Sequence, residues 1–503
     1  MRKLKTGVAL AGLVLPLFLL GSGPATAAGT CTPGSIRDFN GDSRDDIAIG
    51  DPNATVGGQV SAGYVVVQYG SLGIGPRVTL TQSSAGVGDT AQAGDQFGAV
   101  VTTGFIDADG CADLVVSAPG EDLAITSTAG AVSVIFGSPE GLGKGRPGFT
   151  LSQGTGIMPG NRGAGDRFGS ALATPAGGLA RLLAIGAPND NVASIGDAGT
   201  VTVVRFNDAG DPSSARLFSQ NTSGISDGAE PGDRFGAAVG MMGERGGSTA
   251  DLVVGVPGED VGSVTNAGTV QTIRRVHSAG PYPNDLLNQN SSGVSDSVEV
   301  GDEFGSSLYV HFQGGSLVYN MLVSAPKENL GSVADAGVVH YLLRNSLTGW
   351  GQFWMASQDS AGVTDSAESG DLFGTTVAIA GFVSTPGGLR DLILIGSPHE
   401  DVGSASNAGL VQVLDTLGRS EFTLSQSSSG VAGSPASGDH FGTAVDSIGY
   451  PASLLITAPD DTGFSRGVMH GIRWNRLFTG SGLTYTLTPG TNGSRFGASI
   501  DSA

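Results

Sequence analysis

Short apolar runs of roughly four to eight residues, broken by segments rich in Gly, Ser, Asn and Asp, fill the chain from about residue 46 onward. Some are continuous, as in Leu182–Ile185 and Leu392–Ile395, which is the pattern of strands covered on both faces. Others follow an Ala-Gly pair, as in Ala62-Gly63-Tyr64-Val65-Val66-Val67 and Ala129-Gly130-Ala131-Val132-Ser133-Val134. The 84 glycines weigh against helices, because Gly inside a helix costs about 1 kcal/mol relative to Ala. Many tight turns between short strands are expected instead.

These runs recur with a fixed spacing. Gly-Asp-x-Phe-Gly begins at Gly94, Gly165, Gly232, Gly301, Gly370 and Gly438, about 69 residues apart, and a variant, Gly493-Ser494-Arg495-Phe496-Gly497, lies near the end. An apolar run ending in a small residue and proline occurs seven times, from Gly50-Asp51-Pro52 and Ser117-Ala118-Pro119 to Thr457-Ala458-Pro459. The Ala-Gly signature returns at Ala198, Ala267, Ala336 and Ala408, and as Arg466-Gly467. Each unit thus predicts a strand after Phe-Gly, one before the proline, one after Ala-Gly, and a fourth such as Arg77–Leu80 or Phe149–Leu151. Four antiparallel strands in this length make one blade of an all-β propeller. Seven such blades occupy residues 28–503, leaving little room for another domain.

The phase of the repeats predicts how the array ends. The first proline-terminated strand, Asp46–Gly50, has no Phe-Gly strand before it, and the last Phe-Gly strand, at Phe496, has no partner after it. A closed ring removes both deficits if residues 495–501 complete the N-terminal blade, and closure leaves no open sheet edge.

At the Phe-Gly and Gly-Ala-Pro signatures the chain resembles the FG-GAP repeat family, whose members include the ligand-binding propellers of integrin alpha subunits. The resemblance covers essentially all of residues 28–503 and is nearest to secreted bacterial, actinomycete-type members. It implies a seven-bladed propeller, and it leaves function open because one fold hosts many activities.

Arg2, Lys3 and Lys5, an apolar run from Val8 to Leu20 and then Ala25-Thr26-Ala27 read as a secretory signal peptide, residues 1–27. Its removal takes the net charge from −21 to −24, which disfavours binding to nucleic acid. No later run is long and apolar enough to span a bilayer, so a released, monomeric extracellular protein is expected. Cys31 and Cys111 are the two cysteines; in an oxidising compartment they read most simply as one disulfide, with two free thiols as the alternative.

One motif carries cation chemistry. Asp38-Phe39-Asn40-Gly41-Asp42-Ser43-Arg44-Asp45-Asp46 puts oxygen side chains at positions 1, 3, 5 and 9, with the Arg44 carbonyl at position 7. A hard cation such as Ca2+ takes six to eight oxygens, and alternate residues of a tight loop converge on it. The loop resembles the calcium loops of integrin-type propellers, although Ser43 stands where Gly is usual. A plain Asx-rich hairpin is the alternative. Asp107, Asp109 and Asp113 repeat the pattern in the next unit, with Phe105 at position 1.

Loops on the opposite face collect sixteen carboxylates, among them Glu121, Asp122, Asp190, Glu259, Glu328 and Glu400, and suggest a negative surface for a basic or cation-bridged ligand. Solubility alone is the competing explanation. The Asp of each Gly-Asp-x-Phe-Gly reads as a turn cap. Gly463-Phe464-Ser465-Arg466-Gly467 matches a nucleophile-elbow pattern, but it falls on the Ala-Gly register and lacks the strand-to-helix context such a motif needs. Of the six histidines, His340 and His470 each stand three residues after the Ala-Gly or Arg-Gly glycine and read as strand residues, and the set gives no reason for a shared metal. The chain is therefore expected to be a secreted, calcium-binding scaffold and not an enzyme, with an unknown extracellular protein or cell-wall partner. An esterase- or phospholipase-like hydrolase is the alternative, because propellers of this family are sometimes attached to lipases.

Overall fold

The computed structural model describes residues 31–500, apart from 33, 71, 73–74, 176–179, 244–249, 278–279, 281, 314–317, 346–348, 386–387, 450–452, 465, 475–483 and 490–493. The expected signal peptide and Ser465 lie outside the described residues. The strands form seven four-stranded antiparallel sheets arranged as a β-propeller. Blade 1 runs Ser499–Ile500, Ile47–Asp51, Tyr64–Gln68, Arg77–Leu80, and blade 2 runs Val101–Gly104, Asp113–Ala118, Ala131–Ile135, Phe149–Leu151. Blades 3 to 7 span residues 171–218, 238–287, 308–356, 376–424 and 445–487. Among the described residues, no helix is long and apolar enough to cross a membrane.

Side chains on a strand alternate between its two faces, and here each face meets a different neighbour. Val65 and Val67 pack with Leu114 and Val116 of blade 2, whereas Tyr64 and Val66 pack with Leu455 and Met469 of blade 7. Seven apolar clusters lie in this way between successive blades. Both faces are buried, so inner strands such as Leu182–Ala187 are apolar at every position. The outer strand Arg77–Leu80 is covered less and reads as mixed polar and apolar.

The two most regular signatures are halves of one contact. Phe97 donates its N–H to the Ala62 carbonyl at 3.0 Å, and a Cβ on Gly63 would lie 2.1 Å from the Phe97 carbonyl oxygen. Gly63 also has φ +80°, in the region that favours glycine. The same pairing recurs around the ring, through Gly268 with Phe304, to Gly467 with Phe496. Ala-Gly of one blade therefore receives Phe-Gly of the next, and each Phe ring enters the core between them, fully buried.

The ring closes as the phase of the repeats predicts. Ile49 pairs with Ile500 and Gly50 with Ser499, so the chain's last described residues are the first strand of its first blade. Gly497 N–H donates to the Gly50 carbonyl at 2.9 Å, and Phe496 and Ile500 enter the core shared by blades 7 and 1.

Candidate cation loops and the acidic loop face

The Asp38 loop joins the end of the chain's N-terminal segment to the strand Ile47–Asp51. Gly41 and Ser43 both turn through positive φ, +70° and +65°, which folds the carboxylates inward. Asp38 accepts the N–H groups of Asp42 and Ser43 at 3.1 and 2.8 Å, Asn40 accepts from Asp42 at 3.2 Å, and Asp42 accepts from Arg44 at 2.9 Å. Asp46, fully buried, accepts from Phe39 at 2.9 Å and Gly70 at 2.7 Å. Burial, then the nearby Asp42 and Asp38 charges, raise the Asp46 carboxyl to about 7 against the pull of those two N–H groups. A tight oxygen-rich loop with three mutually repelling carboxylates fits a hard cation.

The second loop is built on the same plan with one difference. Asp113 is buried and takes N–H groups from Ile106 and Gly137, as Asp46 does from Phe39 and Gly70. Asp109 accepts from Cys111 at 2.8 Å, and its carbonyl accepts the Cys31 N–H at 3.0 Å. The Cys31–Cys111 disulfide then ties the two loops together. Phe105, at the position of Asp38, packs into the core between blades 1 and 2, so one carboxylate is missing. Arg146 stacks over Phe136 and brings its guanidinium to 3.8 Å from Asp107, supplying a fixed positive charge at this loop.

On the opposite face the structure changes the count of surface charge. Six of the sixteen carboxylates, Glu121, Asp190, Glu259, Glu328, Glu400 and Asp461, are buried, because each folds back onto a buried Gln that ends the preceding blade. Gln82 donates to Glu121 at 2.6 Å, Gln153 to Asp190 at 2.7 Å and Gln426 to Asp461 at 2.6 Å, and Gln220 and Gln358 bond Glu259 and Glu400. Burial first, and then neighbouring carboxylates, raise Glu259 to about 9 and Glu328 to about 8. The acidic face is thus partly an internal network. The Asp of each Gly-Asp-x-Phe-Gly caps its own turn, as Asp233 does by accepting the Glu230 N–H and Asp302 the Glu299 N–H, both at 2.5 Å.

What the face does display is a set of matching rigid loops. Blades 1 to 6 each carry a short bridge, Val56 with Gln59, Leu123 with Thr126, Val192 with Ile195, and so on to Val402 with Ala405. Each loop is pinned to the next blade, as by Gly94 N–H to the Val60 carbonyl at 2.9 Å. Val60, Ile125 and Val300 stand exposed among these loops. Blade 7 departs from the pattern with a short 3-10 turn, Thr462–Phe464.

Sequence register also hid one cluster. His440 Nδ1 lies 2.8 Å from Asp460, which Arg495 also binds at 2.9 Å, and the His399 ring centre is 5.3 Å from that of His440. The histidines come from different positions of adjacent repeats, and only the ring geometry makes them neighbours.

These motifs agree with a family match. The FG-GAP repeat family model matches residues 97–135, which run from the Phe-Gly of blade 2 through its third strand. That stretch of the chain matches an FG-GAP repeat. Among curated proteins, phosphatidylinositol-glycan-specific phospholipase D of Bos taurus is 33% identical over 118 residues, covering 23% of this chain and 14% of that protein. The Mus musculus protein of the same name is 30% identical over 116 residues, with the same coverage. The chain therefore spans about one seventh of the length of these relatives. Among solved structures, the periplasmic gluconolactonase PpgL of Pseudomonas aeruginosa aligns over 90% of this chain and 99% of its own, at a TM-score of 0.45 and 11% identity. The expectation that the chain is not an enzyme is corrected by the curated matches, since those relatives are enzymes by name.

Proposed function

We propose that this FG-GAP propeller acts outside the cell as a calcium-binding, adhesion-like scaffold that holds a protein or cell-wall ligand on its loop face. The observation that carries this reading is the set of six pinned, matching loops, which form a preorganised surface needing little ordering when a partner docks. Calcium belongs in the Asp38 loop, on Asp38, Asn40, Asp42, Asp46 and the Arg44 carbonyl. Asp107, Asp109 and Asp113 form a subordinate site in which Arg146 competes with the cation. The basic, then apolar, then small-residue pattern of residues 1–27 supports export, and the disulfide fits an oxidising compartment.

Calcium at 100 times its dissociation constant adds about 2.7 kcal/mol. Unfolding entropy near 2.1 cal/mol/K per residue turns that into a rise in Tm of about 3 °C for a chain of this size. Asp42→Ala removes the rise. Equal melting in calcium and in chelator would refute the loop assignment. For the ligand, cell-wall and secretome fractions are captured on the immobilised protein with and without chelator, and Ile125→Asp on a loop tip is expected to abolish specific capture.

A second reading, an extracellular hydrolase, is favoured by the phospholipase relatives and by the His440–Asp460 pair. Turnover of ester or phosphodiester substrates by the purified chain, lost in His440→Ala, would select it.

A further inference from the structure

The junction between blades 4 and 5 differs from a merely acidic surface. Glu299, Asp302 and Glu328 each offer an oxygen, and these oxygens lie within 4.8 Å of one another. Asp302 and Glu328 are buried and Glu299 is exposed, so the group opens to solvent on one side only. The Asp302 Oδ2 takes the Glu299 N–H, while its Oδ1, fully buried, has no hydrogen-bond partner. Gln289, also fully buried, lies against the trio, donating Nε2 to Glu328 at 2.5 Å and to Asp296 at 3.5 Å, while its Oε1 has no partner. A buried oxygen without a donor has lost its water and gained nothing in exchange, which is unfavourable. Lys327 and Arg234 both pair with Glu303, at 3.1 and 3.0 Å.

Other junctions of the same chain show how the group is neutralised when acids are fewer. Between blades 1 and 2 the residue matching Glu299 is Gln92, and Gln92 and Gln82 each donate to one oxygen of Glu121. Between blades 2 and 3 the residues matching Asp296 and Glu299 are Gly160 and Gly163, the acid shortens to Asp190, and Gln153 and Thr200 satisfy it. At these two junctions neutral donors satisfy the acid that remains. At the blade 4–5 junction all four acids are kept and Asp302 Oδ1 is left without a partner, in addition to the Gln oxygen, which is bare at the other junctions too.

We infer that Glu299, Asp302 and Glu328 bind a divalent cation of the calcium class at the blade 4–5 junction, at a site separate from the Asp38 loop. An all-oxygen set without His or Cys selects a hard cation. The junctions between blades 3 and 4 and between blades 5 and 6 carry matching residues, Asp227, Glu230, Asp233 and Glu259, and Asp365, Glu368, Asp371 and Glu400. The bound cation would fasten adjacent blades together at the loop face.

The test is equilibrium dialysis of the full chain against calcium alone. A parent carrying Asp38→Ala and Asp42→Ala silences the first loop and is expected still to bind at least one equivalent. Adding Glu299→Gln and Glu328→Gln is expected to remove one equivalent. Should Glu328→Gln fail to fold, Glu299→Gln alone, at the exposed ligand, is expected to weaken one equivalent at least tenfold. No calcium on the loop-silenced parent, or an unchanged count and affinity in the junction variants, overturns the inference. Failure of the loop reading gives a different result, namely equal calcium on the native chain and the loop-silenced parent.

Discussion

Deleting residues 494–503 tests the closed ring at its one non-covalent seam. The deletion removes the strand Ser499–Ile500, its pairing with Ile49 and Gly50, and the bond from Gly497 N–H to the Gly50 carbonyl. It also empties the places of Phe496, fully buried, and Ile500, nearly so, in the core between blades 7 and 1. Truncating a buried Phe costs about 3–5 kcal/mol and a buried Ile about 2–5 kcal/mol, so the loss is on the order of 5–10 kcal/mol before the backbone bonds are counted. Unfolding entropy near 2.1 cal/mol/K per residue makes this a fall in Tm of about 5–10 °C for a chain of this length. The exposed edge of Ile47–Asp51 should also recruit other chains. Calorimetry and light scattering on the truncated and full-length proteins measure both effects. A truncated protein that stays monomeric and melts within about 2 °C of the full-length chain would refute the closure argument.

Three further outcomes are expected. Reduction of the Cys31–Cys111 bond, or Cys31→Ser, destabilises the protein by up to roughly 4 kcal/mol in denaturant titration, and non-reducing peptide mapping finds the two residues joined. Gly268→Ala forces a Cβ to 2.3 Å from the Phe304 carbonyl at a φ of +81°, and chemical denaturation should show a larger loss than for Gly262→Ala, where the left-handed φ is kept but no atom lies within 4 Å. His470 is fully buried with neither ring nitrogen bonded, and burial lowers it to about 4, so the folded state holds the neutral ring. Its contribution is present above about pH 6.5 and is lost as pH falls toward 4, a span worth about 3 kcal/mol, and His470→Leu should flatten the stability profile in that window while leaving it unchanged from pH 7 to 8.

The blades were legible because the propeller repeats one physical problem seven times. Each inner strand must be apolar on both faces, each Ala-Gly must admit the next Phe-Gly backbone, and each turn before Phe-Gly needs a cap, so the same residues return at the same spacing. The oxygen-rich pattern of the Asp38 loop could be read for a similar reason, since its residues are contiguous. The fate of the acidic face could not. Whether Glu259 and Asp260 point inward or outward depends on the buried Gln220 of the preceding blade, some forty residues earlier, and adjacent carboxylates in a loop look alike in sequence. Glu259 folds back to that amide and is buried, whereas Asp260 caps its own loop at Asn266. The His399–His440–Asp460 cluster was hidden for a further reason. It joins two repeat positions across adjacent units, the residue after the proline (His399 and Asp460) and the residue before Phe-Gly (His440), and no single-repeat comparison places them together.

The seam shows how the ring departs from its own repeat without losing the contact. At the six regular joints the turn before Phe-Gly is capped by the Asp of Gly-Asp-x-Phe-Gly, as Asp95 accepts the Gln92 N–H. In the closing copy that Asp is Ser494, which cannot cap the turn in the same way. The missing carboxylate comes from the other signature: where blade 2 has Ser-Ala-Pro and blade 3 has Gly-Ala-Pro, blade 1 has Gly50-Asp51-Pro52. Asp51 is fully buried and accepts from Ser494 N–H at 2.9 Å, Ser494 Oγ at 3.1 Å and Arg495 N–H at 3.0 Å. The acid has moved from the strand that docks to the strand that receives it. A carboxylate held by three donors is worth more than a neutral cap, and here it bonds across the only joint between blades that no continuous backbone crosses. A linear array would have no use for that exchange, because Asp51 and Ser494 would stand at opposite ends of it.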